Sequence, residues 1–154
     1  MIIGFPPVWR ADARLLILGS MPSEESLRQG FYYGHPRNAF WPILAESFGA
    51  EIPRSIEEKK ALLIGNGIAL WDSAYSCERE GSLDSAIRGA VPNDLAGLLA
   101  RCPGIQKVLF NGKTAQKLAR GIPEGMGTVC LPSTSPAYTL RYSEKLRLWR
   151  KELL

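Results

Sequence analysis

Metal-binding chemistry finds little to work with in this chain. Its 154 residues hold one histidine and three cysteines. Cys77, Cys102 and Cys130 are odd in number and show no CxxC spacing. Neither a disulfide framework nor a zinc site is expected from them. They read as reduced packing residues of a cytoplasmic protein. No stretch approaches about eighteen consecutive apolar residues, and no basic segment at the start leads into an apolar run. Secretion and membrane insertion are therefore not expected.

Internal repeats, low-complexity tracts and Gly/Ser linkers are also missing, so a single domain over residues 1–154 is expected. The serine hydrolases need an imidazole beside their nucleophile. His35 is the only one here, and no serine sits in a GxSxG elbow. Gly112-Lys113-Thr114 imitates the end of a phosphate loop, yet position 107 is lysine where that motif needs glycine. Val108-Leu109-Phe110 fills the intervening span with strand-forming residues. That excludes a nucleoside triphosphatase, and Asn111 or Thr114 reads instead as a helix cap.

What is present is an alternation. Arg14 to Leu18 is a continuous apolar-rich run ending at Gly19, as in a strand buried on both faces. Ile68 to Trp71, Lys107 to Phe110 and Thr128 to Leu131 repeat the pattern. Helical spacing separates them at Phe40–Phe48, Ser55–Ile64, Asn93–Ala100 and Thr114–Ala119. Ser143 is placed to cap a last helix, Glu144–Leu154. Strands alternating with helices predict an α/β domain with a mainly parallel, four-stranded central sheet. Parallel strands send their C-terminal ends to one edge, where ligands bind. The segments that follow the strands are the unusual ones: Gly19–Ser23, Asp72–Tyr75, Asn111–Thr114 and Pro132–Pro136.

After the first strand comes Phe31-Tyr32-Tyr33-Gly34-His35-Pro36-Arg37-Asn38-Ala39-Phe40-Trp41. Glycine and proline deny its middle a regular helix or strand. Flat apolar faces beside a few polar handles suit a flat, polar-edged ligand such as a nucleobase. Asn38 has no useful pKa and cannot be a general base, but its amide can hold a water or turn its dipole toward a developing cation. Asp72 can meet a base edge as acceptor or, when protonated, as donor. Both residues read equally well as helix caps. The net charge of +4 leans toward an anionic partner. Ser133, Thr134 and Ser135 offer hydroxyls to phosphate, with Arg141, Lys145 and Arg147 just downstream.

Taken in order, these stretches resemble the uracil-DNA glycosylase superfamily, and most closely its hypoxanthine-DNA glycosylase branch. The carriers are LGSMPS at 18–23, YYGHPRNAFW at 32–41, GIALWD at 67–72, SCEREGS at 76–82, NGKTA at 111–115 and LPSTSPA at 131–137. The resemblance implies a three-layer α/β/α fold and a monofunctional glycosylase without metal or cofactor. Its partner would be double-stranded DNA carrying deaminated bases, which it would bind as a monomer and flip into a pocket. Better-known branches carry an Asp or Asn in the loop after the first strand, where this chain has Gly19-Ser20-Met21-Pro22. In the resembled branch the catalytic asparagine comes from the His-Pro-Arg-Asn stretch, which maps onto Asn38.

On that basis Asn38 is expected to position the water. Ser20, Met21, His35, Phe40 and Asp72 are expected to form the base pocket, with Phe40 or a neighbouring tyrosine stacking on the base. Arg37, Lys113, Ser133, Thr134, Ser135 and Arg141 are expected to hold DNA. Tyr138 stands where the branch more often has asparagine, which leaves open the residue that fills the gap behind the flipped base. Two other functions stay open: a mismatch-specific uracil or thymine glycosylase, and a non-catalytic binder of damaged DNA or nucleobase. A Schiff-base lyase through Lys113 is disfavoured, because a lysine near a helix start ordinarily faces solvent or phosphate.

Overall fold

The computed structural model describes all 154 residues. Its centre is a parallel sheet of β2 (Leu15–Gly19), β3 (Ile68–Asp72), β6 (Lys107–Asn111) and β7 (Gly127–Leu131), in the order β3-β2-β6-β7. Every residue of β2 is buried, because strands flank it on both edges and helices cover both faces. Successive side chains point to opposite faces. Leu15 and Ile17 join Ile68, Leu70 and Leu109 in one core, against α2 (Phe40–Ser47), α3 (Ile56–Gly65) and α6 (Tyr142–Leu153). Leu16 and Leu18 join Ala69, Val108 and Phe110 in the other, against α4 (Leu95–Arg101) and α5 (Lys113–Leu118). The result is the expected three-layer α/β/α arrangement.

Each helix follows from its local sequence. Asp94 and Ser55 cap α4 and α3 by accepting the amides of Gly97 and Glu58. Pro42 is tolerated because it lies in the first turn of α2, where amides have no partner within the helix. Trp149 of α6 is fully buried and donates its indole N–H to the Pro132 carbonyl at 2.9 Å, tying the last helix to the loop after β7.

Several local expectations are corrected. The stretch after Asp72 continues as β4 (Ala74–Glu78), which pairs antiparallel with β1 (Ile2–Ile3) and β5 (Arg88–Pro92) in a small second sheet. A short helix, α1 (Glu24–Gln29), is capped by Ser23 and ends at Gly30, whose φ of 80° suits glycine. Arg141, not Ser143, precedes α6, and Gly112, not Asn111 or Thr114, precedes α5; neither supplies a side-chain cap. Asn111 is committed to a tertiary contact instead. No helix is long and apolar enough to cross a membrane.

Candidate active site

The chain leaves β2 toward β3 on one side and returns to β6 on the other. Crevices form at such reversals beyond the C-terminal ends of parallel strands. Here Gly19 stands in register with Asp72, and Asn111 with Leu131. A cavity of about 620 Å³ opens above them, in the size range of small-molecule sites. A second hollow of about 520 Å³ adjoins it, and Asn38, Leu83 and Ser135 border both.

Gly19 makes the floor possible. A methyl group there would lie 2.5 Å from Asp72 Oδ1 and 2.6 Å from the Tyr33 hydroxyl. Both groups crowd that bare backbone, and each ends in a buried oxygen without a protein partner: Asp72 Oδ2 and Tyr33 Oη. Buried polar groups in folded proteins are ordinarily paired with protein, water or a ligand, so two such oxygens side by side in a cavity mark a place for polar partners. Asp72 is only 3% exposed. Burial, and then the charge of Asp84, push its carboxyl up to about 7 against the opposing pull of Arg79. Burial, and then Asp72, likewise raise the Tyr33 phenol above its ordinary range. Asn93 steadies this end of β3 by donating to the Asp72 and Ala74 carbonyls at 2.8 and 3.1 Å.

The aromatic wall is Tyr33. Its φ of 54° is the one left-handed conformation outside glycine, a strain of about 1–2 kcal/mol for an L-residue. What offsets it is a stack on Phe40, with ring centroids 4.1 Å apart and 25° between planes. Phe40 is fully buried, edge-on to Trp41 and Trp149. Of the two rings expected to stack, Phe40 is absent from the cavity wall and backs Tyr33, the neighbouring tyrosine. Its place at the start of α2 turns it inward, and the turn before it presents the tyrosine.

Asn38 also lines the cavity. Its Oδ1 accepts the Phe40 amide at 2.9 Å, so the amide has one carbonyl lone pair and both N–H bonds left to offer. Ser20 and Met21 line the cavity as well; Ser20 donates to Asp84 Oδ1 at 2.7 Å, and Met21 packs on Ala74 and Cys77. His35 is absent from this wall. It lies in the adjoining hollow with Arg28, its Nδ1 accepting the Arg37 amide at 3.1 Å, because Pro36 turns the chain outward there.

The loop after β7 forms the opposite wall. Thr134 is 1% exposed, accepts from Asn111 Nδ2 and donates its amide to Asn111 Oδ1, both at 2.9 Å. It pins this wall of the cavity to the end of β6. Its carbonyl accepts the Ala39 amide at 3.0 Å, which couples this loop to the Asn38 turn. Ser133 and Ser135 accept the amides of Ser135 and Ala137, leaving their O–H bonds to donate. Buried Lys145 donates to the Ser135 carbonyl at 3.0 Å. Lys113 stands exposed on the rim, while Arg37 and Arg141 are exposed beyond it.

Sequence reasoning missed Leu83 and Asp84, which reach the cavity from the turn between β4 and β5. No pattern in that segment announces them. Leu83 is 59% exposed at the mouth, and Tyr138, 49% exposed, also borders it. No group of three or more His, Cys, Asp or Glu side chains converges as a metal site would require.

Comparison with known proteins agrees with this fold. A model of the family described as the uracil DNA glycosylase superfamily matches residues 6–154. A hypoxanthine DNA glycosylase of Methanosarcina acetivorans is 41% identical over 138 residues, which cover 87% of this chain and 86% of that one. A protein of the same name from Methanosarcina barkeri is 41% identical over 112 residues, covering 71% and 70%. The solution structure of a Methanosarcina acetivorans protein assigned as a uracil DNA glycosylase superposes with a TM-score of 0.80 at 38% identity, covering 97% of this chain and 96% of that one.

Proposed function

The chain belongs to the uracil-DNA glycosylase superfamily and is a hydrolytic DNA glycosylase for deaminated bases, and from that premise we propose that it excises hypoxanthine from deoxyinosine, using Asn38, Asp72 and Tyr33 at the base. The observation that carries this reading is the pair of unpartnered oxygens, Asp72 Oδ2 and Tyr33 Oη, buried around Gly19 beneath an aromatic wall. A flat base with donors and acceptors on its edge is what satisfies both. Hypoxanthine offers an N–H donor beside carbonyl and ring-nitrogen acceptors.

Breaking the glycosidic bond puts positive charge on the sugar and negative charge on the departing base. Asp72, held near neutrality, donates to an acceptor of the base as that negative charge grows. Tyr33 stacks on the ring, worth about 1–3 kcal/mol by comparison with single-strand stacking. Asn38 holds the attacking water with its remaining lone pair and turns its carbonyl toward the sugar cation. Ser133, Ser135 and Lys113 hold backbone phosphates at the rim, with His35, Arg37 and Arg141 further along the same DNA. Leu83 and Tyr138 at the mouth are the apolar side chains placed to fill the duplex once the base has left it. Every residue named in this reading comes from one chain, which supports a monomer as the working unit.

The test uses labelled duplexes carrying inosine, uracil, xanthine or no lesion. Each is incubated with excess protein, treated with hot alkali and run on a denaturing gel. Alkali-dependent cleavage at inosine, faster than at uracil, is expected. Cleavage at uracil alone overturns the substrate, and intact DNA throughout overturns catalysis. Asn38→Ala should slow single-turnover excision by at least about tenfold with DNA binding retained. Unchanged excision removes Asn38 from the mechanism.

A further inference from the structure

Hydrolysis at the sugar needs more than a held water. As the water oxygen bonds to C1′, one of its protons has to go somewhere, and an amide such as Asn38 cannot take it. The carboxylates that line the cavity are Asp72 and Asp84. Asp72 lies deep, 3% exposed, against Gly19 and Tyr33, and in the reading above it serves the base edge. Asp84 lies higher. It is half-buried, follows Leu83 at the mouth, and begins a short 3-10 turn, Asp84–Ala86.

One contact holds this carboxylate and two hold the segment that carries it. Ser20, the residue after Gly19, donates its hydroxyl to Asp84 Oδ1 at 2.7 Å. Ser82 accepts the Glu24 amide at 2.9 Å, anchoring the segment on its other side. The Ala86 amide closes the turn on the Leu83 carbonyl at 3.0 Å. With Oδ1 engaged by Ser20, Oδ2 is the oxygen free to act. Asp84, more exposed than Asp72, borders the same cavity as Asp72 and Asn38, so a base lodged beside Asp72 would carry its sugar toward the mouth where this carboxylate lies.

We propose that Asp84 is a catalytic carboxylate of this enzyme, accepting the proton of the attacking water and facing the sugar cation, with Ser20 as its positioning residue. The inference rests on the glycosylase reading above. In the step, the water oxygen forms the bond to C1′ while the C1′–N bond breaks and its electron pair leaves with the base. One water proton passes to Asp84 and then to solvent. The base takes its proton from the Asp72 carboxyl. Two carboxylates in one cavity thus hold opposite roles, the deep one as acid and the shallow one as base.

The experiment compares single-turnover excision from an inosine duplex by the wild type, Asp84→Asn, Asp84→Ala and Ser20→Ala. Asparagine keeps an acceptor for Ser20, so the turn is retained, and thermal melting verifies it. Asp84→Asn is expected to lower the maximal rate about a hundredfold, with the half-saturating enzyme concentration and binding to a 2′-fluoro-inosine duplex unchanged. Ser20→Ala, which frees the carboxylate, should lose rate less severely. Added formate should restore at least about tenfold to Asp84→Ala, a rescue that a purely structural role would not show. An Asp84→Asn rate within about threefold of wild type, or a loss confined to binding, overturns the assignment. So does failure of formate to rescue folded Asp84→Ala. A wild type inert on every damaged duplex overturns the glycosylase reading itself, a result distinguishable from an active Asp84→Asn.

Discussion

Asn111 and Thr134 clasp each other twice. The asparagine amide donates to the threonine hydroxyl and its carbonyl accepts the threonine N–H, both at 2.9 Å. One residue ends β6 and the other lies in the loop after β7, so the clasp sets the cavity wall relative to the sheet. Through the Thr134 carbonyl it also reaches the Ala39 amide and hence the Asn38 turn.

Asn111→Ala strands a buried N–H and a buried hydroxyl together. The expected cost is about 1–3 kcal/mol, read from urea unfolding, with weaker binding to inosine duplex. Thr134→Val keeps the amide bond and loses only the hydroxyl contact, so it should cost less. If the two variants destabilise equally, the amide half of the clasp contributes little.

The stacked pair Tyr33 and Phe40 should separate stability from activity. Phe40→Ala empties a fully buried site, at about 3–5 kcal/mol, measured by denaturant unfolding. Tyr33→Ala should be milder, because Tyr33 is only partly buried where Phe40 is fully buried; alanine keeps the strained φ of 54° and loses the stack. Its main effect should fall on excision, about tenfold or more given a stacking contribution of about 1–3 kcal/mol. Tyr33→Phe keeps the ring and loses the hydroxyl that meets the base, so its rate should fall, though less than that of Tyr33→Ala. A Tyr33→Ala enzyme with full activity removes this ring from the base pocket.

Gly19→Ala tests the floor. Its methyl would stand 2.5 Å from Asp72 Oδ1 and 2.6 Å from the Tyr33 hydroxyl, both packed in place. Overpacking of this kind costs about 1–3 kcal/mol. Excision should fall well beyond what that loss of stability explains, since both base-contacting groups must move. A folded, fully active alanine variant would show that the two groups do not meet the base together.

Asp72 gives stability a pH dependence with a defined sign. Its carboxyl titrates near the ordinary carboxylate value of 3.8 when unfolded and at about 7 in the fold. Between those values the folded state holds the extra proton, so this group makes stability fall as pH rises from about 4 to about 7. Asp72→Asn abolishes that fall. Its melting temperature relative to wild type should therefore climb from pH 5 to pH 8, with a free-energy difference on the order of a few kcal/mol at the upper end. A constant difference across this range would place the carboxyl among ordinary ones. Wild-type excision should decline above about pH 7 as the donor proton is lost, and that limb should be missing from Asp72→Asn.

Much of the molecule was legible from residue order alone. Short apolar runs such as Leu15–Leu18 and Lys107–Phe110, ended by glycine or asparagine, fit a strand covered on both faces, and the helical spacing between them points to crossovers and a parallel sheet. The edge that binds ligand follows from that topology. Asn38, Ser20, Met21, Asp72, Lys113, Ser133 and Ser135 were legible for the same reason: they adjoin strand ends or the aromatic turn, and all border the cavity. Side-chain direction was not legible. Whether Tyr33 or Phe40 faces the cavity depends on one left-handed residue and the entry angle of α2, and a proline turns His35 away. The double contact of Thr134 with Asn111, 23 positions away, has no signature in residue order. Asp84 lay hidden because its value comes from a hydrogen bond to Ser20 across 64 positions. Local periodicity determines which segments become strands and helices; only packing decides which atoms distant segments bring to the same cavity.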